Sequence, residues 1–598
     1  MIGQMVNQAV SLHQAGRLAE AEVLYRQAIA AGVRDAQVLH LYAAALYQQG
    51  RFTEALAAGE AALKVSPGDV EGLLLQGAIQ MALKRPREAL EPLTRAVAAA
   101  PRHGDAWQAL GTVRIDLGQL EAAIADFDRA LAIQSSPPAW ANRASALLGL
   151  DRPEEALESA NRALQLYPQL AVAWISRGYA LHRMNRLAEA VESFDRALAI
   201  LPDHFPAWLR RGEALWTLGR NDEALESFDR ALVLDPASVD AQAQRAGVLS
   251  LLVRCDEAIA GYDRALAAAP QRHDIWANRA VALTIVQRFD EAEASIERAL
   301  AIAPNNPAAL LVRGKLLCET GRVEEGLALF AARAAQVYGD ASETAPTSEA
   351  QHRHDQEQQA YLSARGVAAS RFHIDGGDRI AGPAVNPANR QAAALAWAGS
   401  DPQIVVIDQL LTEPALEGLR RFCWGSTVWR KPYRQGYVGA FIDHGFACPL
   451  LAQIAEELRE VFPTVVGDHP LLSTWGFKYD SRLGGIRIHA DQAAVNVNFW
   501  ITPDEANLNP DSGGMVIWDA AAPADWAITR YNGDDDAVRA FLSEANSQST
   551  SVPYRANRAV IFDSDLFHET DRIEFKDGYL NRRINVTMLY GRRNFTNT

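Results

Sequence analysis

Leu187-Ala-Glu-Ala-Val-Glu-Ser-Phe194-Asp-Arg-Ala-Leu-Ala-Ile-Leu-Pro202 is repeated, 34 residues on, as Asn221-Asp-Glu-Ala-Leu-Glu-Ser-Phe228-Asp-Arg-Ala-Leu-Val-Leu-Asp-Pro236. The register extends in both directions. Pro168, Pro202, Pro236, Pro270 and Pro304 recur at intervals of 34 residues, Trp140, Trp174 and Trp208 keep the same spacing, and Trp276 follows two periods later. Trp107 falls one residue short because the turn at 135–137 has lost a residue. A fixed period of this length marks a chain built from one repeated supersecondary unit.

Inside each unit a small residue stands at the eighth position, as Gly77, Gly111, Ala144, Gly178, Gly212, Ala246, Ala280 and Gly314. A second small residue follows at Ala123, Ala156, Ala190, Ala224, Ala258 and Ala292, then a bulky one at Phe127, Phe194, Phe228, Tyr262 and Ile296. Small residues opposite large ones predict a helix hairpin whose two helices cross closely. Arg143, Arg177, Arg211, Arg245, Arg279 and Arg313 occupy the seventh position, and Asp128, Asp195, Asp229 and Asp263 lie in the Phe-Asp-Arg-Ala-Leu type segments, so ion pairs between repeats are expected.

These residues resemble the tetratricopeptide repeat, whose helix pairs leave an apolar face that the next pair covers, building an all-α superhelix. About ten units are expected over residues 1–338. The resemblance implies a protein or peptide partner on the concave face. Asn142 and Asn278 sit at the sixth position, where related arrays use asparagine to hold a peptide backbone, but Ser176, Arg210 and Gln244 interrupt that ladder.

At 598 residues the chain is too long for a single core. A formal charge of -15 disfavours nucleic-acid phosphates as partners. No apolar run approaches the roughly 18 residues that span a bilayer, so no membrane is expected. The first sixteen residues lack the basic start and apolar stretch of an export signal, which makes the cytoplasm the expected location. Cys255, Cys318, Cys423 and Cys448 form no Cys-x-x-Cys pair and are expected to be reduced and packed.

Between 339 and 401 the repeat dissolves into segments rich in Ala, Ser, Gln and Gly, read as a linker with one helix, Ser348 to Arg365, able to cap the end of the array. His352, His354 and Asp355, and His373-Ile-Asp375, are potential ligands here, but no alternating strand fixes them. His373-Ile-Asp375 is expected to be a solvated loop, as are Asp443-His444 and Asp468-His469.

Residues 402–598 read as a β-rich domain. Ile404 to Asp408 predicts a strand, and Thr412-Glu413-Pro414 opens a helix running to about Cys423. Further strands are predicted over Trp475 to Tyr479, Gly485 to Asp491, Val495 to Thr502, Gly514 to Asp519, Arg558 to Phe562 and Arg583 to Tyr590. Short strands without intervening helices predict a jelly roll. Alternation along Gly485-Ile-Arg-Ile-His489-Ala-Asp491 sends Arg487, His489 and Asp491 to one face and Ile486 and Ile488 to the other. His568 lies beyond a distant apolar run. Two histidines and a carboxylate leave three positions of an octahedral cation open, whereas a structural zinc site is closed by four ligands. Arg583 begins a strand whose polar side carries Asn585 and Thr587, and its planar fork suits a carboxylate.

His489-x-Asp491, His568 and Arg583, with Gly513-Gly514 between, resemble the iron(II)- and 2-oxoglutarate-dependent dioxygenases, closest in pattern to the prolyl-hydroxylase-like branch, over about Pro402 to Arg593. The resemblance implies a double-stranded β-helix and a metal bound by His489, Asp491 and His568. It also implies Arg583 on the far carboxylate of 2-oxoglutarate, O2 as co-substrate, and hydroxylation of a substrate C–H bond with release of succinate and carbon dioxide. Members that transfer halide carry a small residue where Asp491 stands, so hydroxylation is expected. Tyr479, Asn498, Trp500 and Thr587 are expected beside the co-substrate, with Asn496 alternating toward the same pocket. Arg582 is the alternative to Arg583, but its alternation partners are apolar. The 520–557 insert is expected to cover the site. Two other readings remain: a non-catalytic adaptor with a vestigial oxygenase fold, and an oxygenase acting on a small molecule or glycan.

Overall fold

The computed structural model describes residues 2–339, 348–368, 370–433, 436–480, 485–523, 526 and 528–592. Met1 and Arg593, which bounded two of the expectations above, lie outside them, as do parts of the 339–401 and 520–557 segments. The chain divides into two compact units, Met1–Ala268 and Ala269–Thr598.

The first unit is entirely helical, with eight consecutive helix pairs such as Phe205–Thr217 with Asn221–Leu234. A Cβ added at Gly178 or Gly212 would lie 2.6 Å from the ring of Phe194 or Phe228, so the missing side chain is what admits the ring of the second helix. Both rings are fully buried, a contribution of roughly 1.5–3 kcal/mol each. Proline and tryptophan share a period for a local reason: the Trp174 and Trp208 indole N–H groups donate to the carbonyls of Pro168 and Pro202 at 2.8 Å. Where the tryptophan is replaced, Gln242 makes the same bond to Pro236 at 2.7 Å. The seventh-position arginines tie repeats together. Arg211 donates to Asp195 of the preceding helix pair at 2.6 Å and to Ser227 at 2.6 Å, and Arg143 does the same to Asp128 and Ser159 at 2.7 Å each.

The second unit begins with two more helix pairs, from His273–Ile285 to Val323–Gly339, and continues into the β-rich region. Ten strands are described: β1 Ile404–Ile407, β2 Lys431–Pro432, β3 Tyr437–Phe441, β4 Leu471–Tyr479, β5 Val495–Trp500, β6 Met515–Ala521, β7 Ser549–Val552, β8 Ala559–Asp563, β9 Leu566–Thr570 and β10 Arg583–Tyr590. They form a seven-stranded sheet, β1-β8-β5-β10-β4-β3-β2, and a three-stranded sheet, β7-β6-β9, with antiparallel pairing throughout. One face of the large sheet, with Val405, Val497, Ile561, Ile584 and Val586, packs in a core with the helices Glu413–Gly425 and Pro449–Val461. Its other face, with Phe477, Tyr479, Trp500 and Phe562, shares a core with Met515, Ile517 and Val552 of the small sheet.

Three expectations need correction. The division does not fall at residue 338, because Cys318, Val323, Leu327 and Phe330 of the last helix pair are in one core with Leu450, Ile454 and Leu458. Arg333 also donates to the Asp443 carbonyl at 2.7 Å. Nor is 339–401 a free linker: its helix, Glu349–Ala364, packs on β2, β3, the helix Glu413–Gly425 and the turn Tyr579–Asn581, where Gln351 donates to the Trp429 carbonyl and Arg353 pairs with Asp480. Asp375 is not solvated either. It is 7% exposed and accepts from Arg421 at 2.8 Å. The helices Pro449–Val461 and Asp535–Glu544 interrupt the strand succession and were not foreseen.

Candidate metal centre

Gly485 to Asp491 is not a regular strand. One bridge, His489 to His568, joins it to β9, where the two residues exchange backbone bonds of 3.0 and 2.8 Å. Thr570 donates to the Ile486 carbonyl at 3.1 Å, so three steps from Ile486 to His489 face two from Thr570 to His568. That extra residue is a bulge, and it reverses the alternation on its N-terminal side. Ile486 therefore lines the cavity with His489 and Asp491, while Arg487 is exposed and pairs with Asp535 at 3.6 Å. The sequence reading had Ile486 and Arg487 the other way round.

The ligating atoms of His489, Asp491 and His568 lie within 4.8 Å of one another, and among the described residues no other group of this kind occurs. Nε2 of His489 is 3.9 Å from Oδ1 of Asp491, and Nε2 of His568 is 3.5 Å from Oδ2. Each imidazole is oriented by its other nitrogen: Nδ1 of His489 bonds the Arg487 carbonyl at 2.8 Å and Nδ1 of His568 the Leu566 carbonyl at 3.0 Å. Both Nε2 atoms are thereby left as acceptors turned to one point. Asn496 donates to Oδ2 of Asp491 at 2.7 Å. Burial, with the neighbouring His568, pushes His489 down to about 4. Burial raises Asp491, but the neighbouring His568 and His489 and the hydrogen bond from Asn496 outweigh it and hold the carboxyl below its ordinary value. A neutral imidazole and an ionised carboxylate are the forms that bind a cation.

These three side chains line a cavity together with Tyr479, Asn498, Arg583, Asn585 and Thr587. Arg583 is 2% exposed. Its Nε donates to the Gly513 carbonyl at 2.6 Å and one Nη to that of Gly514 at 3.1 Å, but Nη1 is buried without a hydrogen-bond acceptor. The two glycines are needed for this cradle. Gly513 has φ +83°, and a Cβ on Gly514 would stand 1.9 Å from the Val552 carbonyl oxygen. The guanidinium lies 4.8 Å from the Tyr479 ring centroid, and the Tyr479 hydroxyl and the side-chain carbonyls of Asn498 and Asn585 are also buried without hydrogen-bond partners. Burial pulls Arg583 below its ordinary value, with Tyr479 and Tyr554 acting against it. A buried guanidinium with a free donor, beside a hydroxyl without a hydrogen-bond partner, suits an anionic group in this cavity.

Of the residues expected beside the co-substrate, Arg583, Tyr479, Asn498 and Thr587 line this cavity. Trp500 does not. It is fully buried one layer away, 5.6 Å from Arg583 and packed on Tyr554. Arg582 leaves the other way, to Glu357 at 2.9 Å. Among the described residues of the 520–557 insert none lines the cavity, which corrects its expected place as a cover. Ala522, Tyr531, Val538 and Leu542 of the insert pack instead against Ile488, Ala490 and Phe567. Trp475, Phe477, Met515, Glu569 and Thr570 were missed. The first two stand on β4 at two-residue steps from Tyr479, a signal that alternation alone would have supplied.

Three family profiles, each described as tetratricopeptide repeat, match the chain: one over residues 6–70, 141–205, 175–239 and 252–307, a second over 46–115 and 283–345, and a third over 104–137. No curated protein matches. Similar solved structures include YrrB, a TPR protein with an unusual peptide-binding site, at 23% identity and TM-score 0.30 over 31% of this chain and 97% of that one. TTC0263, a thermophilic TPR protein of Thermus thermophilus, is 27% identical with TM-score 0.25, over 30% of this chain and 100% of that one. The Cut9-Hcn1 hetero-tetramer of the APC/C is 16% identical with TM-score 0.35, over 50% and 59%. Among the described residues no helix is long and apolar enough to cross a membrane.

Proposed function

We propose, from the premise that this chain is a tetratricopeptide repeat protein over its N-terminal part, that its remaining β-rich region is a double-stranded β-helix domain. In this reading the domain is an iron(II)- and 2-oxoglutarate-dependent hydroxylase, and the repeats recruit its protein or peptide substrate. The observation that carries the reading is the buried Arg583 guanidinium, with Nη1 lacking an acceptor, in the same cavity as a two-histidine, one-carboxylate group.

His489, Asp491 and His568 would hold the metal, presented by Nδ1 bonds and by Asn496. Bound iron(II) supplies activation of O2 with 2-oxoglutarate as reductant, one oxygen atom ending in the substrate hydroxyl and the other in succinate, with carbon dioxide released. Arg583 binds the far carboxylate, completing the hydrogen bonding that Gly513 and Gly514 leave unfinished. Tyr479, above the guanidinium, and Asn498, held by its bond to Thr587 at 2.8 Å, shape the space around the carbon chain. Trp475 and Phe477 line the cavity, and Phe441 packs on both. This aromatic wall supports an apolar ring, such as that of proline, as the group presented for hydroxylation.

Anaerobic titration with iron(II) and 2-oxoglutarate tests the reading. The wild-type chain is expected to develop a metal-to-ligand charge-transfer band and, on admission of oxygen, to release succinate. In Arg583→Met the band requires about a hundredfold more 2-oxoglutarate, as befits a lost charge-assisted fork. In His489→Ala and His568→Ala it is absent, and these variants serve as traps for a protein substrate. The adaptor reading, supported by the repeats alone, requires a metal-loaded chain with neither band nor succinate release. Absence of both in the wild type would decide for it.

A further inference from the structure

Both metal-bearing segments alternate ligands with anchors. Ile488 and Ala490 flank His489, and Phe567 precedes His568; the three anchors are 2%, 0% and 0% exposed. They share one apolar cluster with Ala522, Tyr531, Val538 and Leu542, to which Trp526 and Phe541 add partly buried rings. Phe541 and Trp526 stand 6.0 and 6.4 Å from the Phe567 ring. An ion pair joins the helix Asp535–Glu544 to each segment: Arg539 to Glu569 at 2.7 Å, beside His568, and Asp535 to Arg487 at 3.6 Å, beside His489. The Ala522 N–H adds a bond to the Asp565 carbonyl at 2.8 Å.

This arrangement answers a problem left by the bulge. Two of the three ligands sit on a segment joined to β9 by one ladder bridge, His489–His568, with the Asp491 N–H on the Ser564 carbonyl at 3.1 Å, so few sheet hydrogen bonds hold that segment in place. Ligand positions are held by what packs behind them. We infer that the helix Asp535–Glu544 is a positioning element for the cation site: it clamps both ligand-bearing segments from behind and thereby sets the affinity for the divalent metal. The inference rests on the metal reading above.

Linkage makes it testable in the full chain without turnover. If docking of the helix raises metal affinity, bound metal must stabilise the docked helix by the same factor. Zinc(II) is therefore expected to slow amide hydrogen exchange across 535–544 as well as at His489 and His568. Leu542→Ala should weaken cobalt(II) binding, followed by its visible absorption, by about tenfold. Ile454→Ala, an equally buried change in the core on the other face of the large sheet, should lower thermal stability at least as much and leave cobalt(II) affinity unchanged. Arg539→Met alters a half-exposed side chain that does not decide folding, and it should weaken cobalt(II) roughly two- to threefold. Exchange across 535–544 that ignores zinc(II), or equal losses of cobalt(II) affinity in Leu542→Ala and Ile454→Ala, overturns the positioning role while leaving the metal site standing. A wild-type chain that binds neither ion removes both.

Discussion

In the repeat array the contacts that hold the fold join residues close in sequence, whereas the cavity of the second unit is assembled from residues that are far apart. Gly212 meets Phe228 and Arg211 meets Ser227 sixteen residues away, and each such contact recurs in other repeats. Arg583 depends on carbonyls about seventy residues earlier, and His489 pairs with His568 only once. Damage in the array should therefore stay local and graded, because neighbouring repeats duplicate the interaction. Damage around the cavity should be collective, since no described contact there is duplicated by a neighbouring repeat.

Cutting the chain tests this difference most severely. A chain beginning at residue 269 retains Cys318, Val323, Leu327 and Phe330, each 1% exposed, and is expected to unfold cooperatively and still bind cobalt(II). A chain beginning at 339 lacks all four. At roughly 1.5–3 kcal/mol per buried side chain the loss rivals the whole stability of a domain, so loss of near-UV circular dichroism and aggregation are expected. Equal folding of the two would mean that the last helix pair is a passenger of the array after all.

That boundary was hidden in the sequence for a physical reason. The same 34-residue pattern continues through Gly314 and Phe330, and nothing in a repeat's own residues records what covers its outer face. The helix hairpins were legible because their determinants are local. The sequence also singled out His489, Asp491, His568 and Arg583 by residue type, and the fold brings these four to one cavity. What escaped was set by distant partners: the bulge at 486–489, fixed by β9; the docking of Glu349–Ala364; and Trp500, whose alternation was read correctly but whose place is taken at the cavity by Asn498 and Asn585.

A pH-dependent difference between the units comes from His354 on that docked helix. It is fully buried, and burial pushes it down to about 3 despite its hydrogen bond to Asp355. Unfolded histidine takes up its proton near 6.5, so the unfolded state is favoured progressively as pH falls from 6.5 toward 3 and the effect is absent at pH 7. By pH 4.5 this costs the second unit roughly 2–3 kcal/mol. His354→Leu should remove that increment when urea midpoints at pH 7 and 4.5 are compared, while the array's own transition is unmoved. An unchanged pH dependence would show that the imidazole is protonated in the fold.

Within the array, Gly212→Ala places a methyl 2.6 Å from the Phe228 ring and should cost about 1–3 kcal/mol. The chain itself offers the remedy, since Ala280 stands opposite Ile296 in the same positions of a later repeat. Gly212→Ala with Phe228→Ile should recover most of the loss in the array's urea midpoint. A double variant no better than the single one would show that the ring contact is not the source.

The smallest effect is expected at the turn between paired helices. Gly118, Asp151, Asn185, Gly219, Gln287 and Gly321 all close this turn with positive φ, and Val253 does so at φ 60°. The conformation is required because the next residue, Arg254, donates back to the Leu249 carbonyl at 2.9 Å and so ends the helix. For a β-branched residue the left-handed region costs roughly 1–2 kcal/mol, and Val253 is 68% exposed, so packing returns little of it. Glycine relieves that strain at an entropic cost of roughly 0.5–1 kcal/mol in the unfolded chain, leaving a net gain of about 0.5–1 kcal/mol for Val253→Gly. Val253→Ala keeps the unfavourable φ and should gain less. Equal gains from glycine and alanine would trace the effect to the exposed apolar surface instead of the backbone, and a shift in cobalt(II) affinity with either would show that a change in the array is felt at the candidate metal centre.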